Sequence, residues 1–89
     1  MFTKHARERS QQRGIPPFVV DMLLQYGERQ RDGHGAEIHY FGKRGRRRLQ
    51  TYVGPAILEH LSHYLNVYAV VADGEVVTCG YRTKTIKRQ

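Results

Sequence analysis

Apolar residues are sparse over the first fourteen positions, dense from Ile15 to Tyr26, and then change spacing three more times before the chain ends. Thr3 and Gly14 bracket a predicted first helix, with a hydroxyl cap before it and a glycine stop after it. "PPFVVDMLLQYG" reads as a second helix, because proline suits a first turn and Gly27 a C-terminal stop. Only Asp21 and Gln25 interrupt its apolar surface, so it should press hardest on the rest of the protein. The period then shortens. A first strand is expected within residues 28–32, a second in "AEIHYFG", a glycine-flanked turn at "GKRG", and a third strand in "RRLQTYV". "GPAILEHLSHYL" (residues 54–65) returns to helical spacing, with Ile57, Leu58, Leu61 and Leu65 on one face. "NVYAVVADGEVVTCGYR" is a hairpin around Asp73-Gly74, a pair that tight two-residue turns favour. Valines at both parities predict that its strands are central and covered on both sides. The order read this way is α-α-β-β-β-α-β-β: an α+β fold built on an antiparallel sheet.

Eighty-nine residues make a single domain, 1–89, with one modest core. No stretch reads as a signal peptide or a membrane span. The single cysteine, Cys79, fits a reducing compartment, so a cytoplasmic bacterial protein is the expectation. Charge changes the picture more. Fifteen Lys and Arg against eight Asp and Glu give a formal charge of +7. The isoelectric point is near 10.0, which favours a polyanionic partner such as RNA, DNA or an acidic protein. The excess is concentrated in "GKRGRRR" (Lys43, Arg44, Arg46, Arg47 and Arg48) and in the tail, with Arg82, Lys84, Lys87 and Arg88. Strand alternation would send Arg46 and Arg48 to one face and Arg47 to the other. Phosphate contact there competes with a solvated basic turn or a docking surface for an acidic protein.

Candidate chemistry begins in the first helix. At 100° per residue, His5, Arg9, Phe2, Arg13 and Ala6 share one arc of about 100°. Lys4, Arg7, Glu8 and Gln11 take the other side. Phe2 and Ala6 must dock the helix, so His5, Arg9 and Arg13 lie on or beside the docked face. An unpaired buried guanidinium costs several kcal/mol. Either these arginines meet carboxylates, with Asp21 and Glu28 in reach of Arg13, or they line an open cleft for an anion. In the second case His5 is a proton carrier beside an arginine-held phosphate. In the first it is an imidazole satisfied by a backbone carbonyl.

His39, on the Phe41 side of its strand, is the substitute proton carrier. His60 and His63 make a weak metal pair with no second pair nearby, and Cys79 is a core residue rather than a nucleophile. No metal site or cofactor is expected. Phosphate-loop, dinucleotide and RNA-recognition strand motifs are absent.

The opening "HARERSQQRGI", with "LLQYG", "YFGKRGRRRL" and "VVTCGYRTKTIKR" following in order, resembles a bacterial family of small uncharacterised proteins. That family is grouped with RelE-like toxins in the barnase–EndoU–colicin–RelE superfamily. The resemblance implies two N-terminal helices packed on a curved antiparallel sheet, with one further helix before a C-terminal hairpin. The segment "YVGPAILEHLSHYL" departs from the shortest members. The resemblance also implies a metal-independent endoribonuclease, the toxin of a toxin–antitoxin pair, with RNA as substrate and an acidic antitoxin as partner. His5, Arg9, Arg13, Thr78, Tyr81 and Arg82 would carry the chemistry, Thr78 and Arg82 facing the helix layer together. The alternative is a non-catalytic nucleic-acid-binding or protein-interaction module on the same fold.

Overall fold

The Thr3 hydroxyl accepts a hydrogen bond from the Ala6 amide at 3.1 Å and so opens helix α1, Lys4–Gln12, where the sequence places its cap. The computed structural model describes residues 1–82. Helix α2, Pro17–Tyr26, starts on proline and stops at Gly27. Buried Ser10 ties the corner between the two helices, donating from Oγ to the Ile15 carbonyl at 2.6 Å. Strands β1, Glu28–Arg31, and β2, Ala36–Tyr40, follow. In the turn between them, Asp32 Oδ1 accepts from the amides of His34 and Ala36 at 2.7 and 3.1 Å.

The next segment corrects the sequence reading. Lys43–Val53, expected to be a turn and a strand, is helix α3. Gly45, Leu49 and Val53 fall one turn apart and form its inward stripe: Gly45 and Leu49 are buried and Val53 half-buried. Helix α4, Pro55–His60, and a 3₁₀ turn, Ser62–Tyr64, take the place of the single expected helix. Leu65 is buried, Leu58 and Leu61 are half-buried, and Ile57 is exposed. Strands β3, Val67–Ala72, and β4, Glu75–Tyr81, form the predicted hairpin. Asp73 and Gly74 both take positive φ, +52° and +75°, the backbone that a tight hairpin turn demands. Among the described residues the order is therefore α-α-β-β-α-α-β-β.

The sheet runs β1-β2-β3-β4 with every neighbouring pair antiparallel, and a bulge interrupts the last pair between Val70 and Val71. Strand β3 is central as expected, but β4 is an edge strand. Its outer rim is met by the start of the chain: Thr3 N–H donates to the Val76 carbonyl at 2.9 Å, and Val76 N–H to the Met1 carbonyl at 2.7 Å.

Register separates the two faces. Val67, Ala69, Val76 and Cys79 pack with Ala6, Val20, Leu23, Phe41 and Leu49 in the buried core beneath α1 and α2. Small Ala6 lets α1 lie close on β4, where the Cys79 thiol meets the Ala6 carbonyl at 3.8 Å. The far face carries the row Tyr40–Tyr68–Gly80 and, beside it, Ile38–Val70–Thr78. Among the described residues no helix is long and apolar enough to cross a membrane.

Candidate nucleic-acid interface

Helix α3 owes its position to a carboxylate from another element. Gly42, at its N-cap, has no side chain with which to bond the free amides of the first turn. Glu28 Oε1 accepts from Arg44 N–H at 2.8 Å and from Gly45 N–H at 3.1 Å, so a β1 side chain caps α3. The two glycines permit this approach. A Cβ at Gly42 would collide with the Glu28 carboxylate, and one at Gly45 would stand 3.1 Å from Gly27 Cα and 3.2 Å from the Tyr26 carbonyl oxygen.

Helical spacing re-sorts the basic run. Arg44 and Arg48, one turn apart, line one side of an open groove of about 690 Å³. The other side is the segment Gly27–Arg31, with Tyr40 between them. Four arginines (Arg29, Arg31, Arg44 and Arg48) thus line the groove, against one acid among the described lining residues, Glu28. Arg29 and Arg31 alternate along β1 with Glu28, which pairs with Tyr40, and Arg31 Nε lies 3.9 Å from Glu37 Oε2. Lys43 and Arg47 are exposed on a neighbouring stripe, and exposed Arg46 bends back to donate from Nε to the Phe41 carbonyl at 3.4 Å. Lys84, Lys87 and Arg88 lie outside the described residues. Strand alternation hid this arrangement, and Arg29, Arg31 and Tyr40 were not singled out from the sequence. The signal that finds them is the Gly45–Leu49–Val53 stripe, which turns Arg44 and Arg48 to the same side.

The first-helix residues divide. His5 is exposed, and Arg9 Nε lies 3.4 Å from its Nε2, donating to it across one helical turn. These two, with Glu8 and Gln12, surround a shallow recess of about 280 Å³. Arg13 takes a course that neither expectation foresaw. Its partner is a backbone oxygen rather than a carboxylate: it reaches over the sheet edge to donate from Nη1 to the Cys79 carbonyl at 2.8 Å. Gly80 makes room for it. A Cβ there would collide with Arg13 Nη1 and sit 3.1 Å from Tyr68 Cε1, which places the guanidinium on the far face beside Tyr68.

Thr78 and Arg82 share a face, as parity requires, but it is the far face and not the helix layer. The register is the reason: Cys79, between them, pairs with Ala69 in the core. Arg82 donates from Nη2 to the carbonyls of Phe41 and Leu65, at 3.1 and 3.5 Å, and lies 5.5 Å above the Tyr40 ring. Burial, and then the nearby Arg46 guanidinium, press its pKa below the ordinary arginine value. Tyr81 takes the helix-side parity yet is exposed at the strand end; burial, then Tyr64, raises its phenol above the usual range.

His39 is buried on the core side, with Nε2 3.4 Å from Glu37 Oε1 and no hydrogen-bond partner for Nδ1 among the described residues. Cys79 is buried, and burial raises its thiol pKa despite nearby Arg13. Among the described residues no cluster of three His, Cys, Asp or Glu side chains could hold a metal.

The structure thus brings Arg13, Thr78 and Arg82 to one face with Tyr40 and Tyr68, and Tyr40 joins that face to the arginine-lined groove. It leaves His5 and Arg9 on the outer side of α1, which packs against the opposite face of β4. No family model, curated protein or solved structure matches this chain.

Proposed function

We propose that the protein is an RNA-binding domain that holds the phosphate backbone along the β1–α3 groove and across the adjoining far face of the sheet. The observation that carries this reading is the set of four arginines lining one open groove, Arg44 and Arg48 one turn apart on α3, with Arg82 and Arg13 continuing the positive surface beyond Tyr40. Arginine suits phosphate because its planar fork binds two oxygens at once, and neutralising a polyanion releases its condensed counterions. RNA is favoured over other polyanions by the resemblance of the chain to RelE-like proteins.

Fluorescence anisotropy with labelled RNA over a salt series tests it. The logarithm of the binding constant should fall linearly with the logarithm of salt concentration. Replacing Arg44 and Arg48 by alanine should lower that slope by about 0.7–0.9 for each phosphate that is no longer neutralised. Absence of binding at low salt would end the proposal.

A second reading is metal-independent RNA cleavage by the toxin of a toxin–antitoxin pair. It is supported by one arrangement: two cations, Arg13 and Arg82, and two hydroxyls, Thr78 and Tyr68, share a face. These are the donor types that a phosphorane needs around it. End-labelled RNA incubated with EDTA should then be cut by wild type and spared by Arg82→Ala. Equal cutting by His5→Ala would place the proton carrier elsewhere than on α1.

A further inference from the structure

Building on the RNA-binding reading, we infer that the groove takes a single strand, with one base stacked on the outer face of Tyr52. Residues 44, 48 and 52 follow one another at four-residue intervals on α3, so Tyr52 continues the line of the two groove arginines by one more turn. Tyr52 is 67 % exposed, although it sits at the end of a helix whose other apolar residues turn inward. Its ring is nevertheless held in place. The Tyr26 ring stacks on it with centroids 5.1 Å apart and planes at 27°. Tyr26 precedes Gly27, the first residue of the groove wall, so the stacked pair stands where the groove ends.

One Tyr52 face is therefore packed and the other open, at the end of a cationic track. A fixed ring loses little freedom when a base settles on it. Backbone-tracking charge followed by an aromatic platform is how proteins hold single strands, since stacking requires unpaired bases. A duplex keeps its bases stacked on one another and offers Tyr52 nothing. The raised pKa of the Tyr26 phenol, caused by burial and then by Tyr52, agrees with rings in contact.

The test compares wild type, Tyr52→Ala and Tyr52→Phe. The probes are a short labelled oligouridylate, a duplex RNA of the same length, and inorganic polyphosphate, which has charge but no bases. Wild type should prefer the single strand. Tyr52→Ala should weaken oligouridylate binding about fivefold or more, the scale of one base–aromatic stack, and leave the salt slope unchanged. Tyr52→Phe should bind like wild type, and polyphosphate should bind all three proteins alike. Circular dichroism checks that each variant is folded. If Tyr52→Ala binds oligouridylate as wild type does, or loses polyphosphate affinity equally, or if duplex competes as well as single strand, the inference falls and the RNA-binding reading stands. If wild type binds neither RNA at low salt, the underlying reading falls instead.

Discussion

Replacing Glu28 by alanine should unsettle α3 while improving the groove for a polyanion. The Glu28 carboxylate accepts from two first-turn amides, at 2.8 and 3.1 Å, and Gly42 supplies no cap of its own. Losing a capping oxygen costs roughly 1 kcal/mol, and losing a negative charge at a helix N-terminus about 0.3–1 kcal/mol more. The Arg44 amide lies at an exposed position, so water replaces part of what the carboxylate gave. A total of about 1.5 kcal/mol follows, which for a domain of this size lowers the melting temperature by roughly 6–12 °C. Glu28→Gln keeps an acceptor and removes the charge, so it should lose only the charge contribution of about 0.3–1 kcal/mol. Thermal and urea unfolding followed at 222 nm give both values. The same variants should bind RNA more tightly than wild type at low salt, because the one acid among the described lining residues of the groove is gone. Stability of Glu28→Ala within a few tenths of a kcal/mol of wild type would refute the capping argument. Unchanged or weaker RNA binding would refute the placement of RNA in this groove.

Two further outcomes follow from the same junctions. Gly45→Ala gains about 1 kcal/mol of helix propensity but presses a Cβ on the backbone of Gly27 and Tyr26, where overpacking costs about 1–3 kcal/mol. Urea unfolding should show a net loss, and a more stable variant would mean that α2 and α3 are not in close backbone contact. Asp32 is held below its ordinary carboxyl value of 3.8, first by the His34 amide and then by that of Ala36. A depressed folded pKa means that its contribution is complete above the unfolded value and fades as pH falls through the folded one. Asp32→Asn should therefore be less stable than wild type near neutral pH, with the gap narrowing below about pH 4. A gap that stays constant into acid would show that the charge is not what holds the turn.

Much of the framework was legible because local chemistry agreed with the final fold. Thr3 ahead of α1, the proline start and Gly27 stop of α2, and Asp73-Gly74 between β3 and β4 each have one well-matched conformation. Helix α3 was hidden because the first member of its inward stripe is Gly45, whose fitness lies in having no side chain. Flanking glycines imitate a turn, and a run of arginines, good helix formers, carries no apolar rhythm. The groove was lost with the helix. The arc expected of His5, Arg9, Phe2, Arg13 and Ala6 holds only in part: Ala6 docks and Arg9 is half-buried, but His5 is exposed, Phe2 precedes α1 and Arg13 is its C-cap. Arginine is also long enough that a shared arc does not fix a shared destination. Arg13 crosses the sheet edge to a carbonyl that no sequence pattern marks, while Arg9 stays with His5.

The way the chain's first residues clasp β4 leaves the two sides of the sheet protected against self-assembly by unlike devices. On one side the main-chain groups of Val76 are already engaged by Met1 and Thr3, so an incoming strand finds that stretch occupied. On the other, a second copy approaching β1 would set Arg29 and Arg31 against their own counterparts. Electrolyte weakens like-charge repulsion and does little to a tethered backbone, so concentrated salt would open only the β1 side to association.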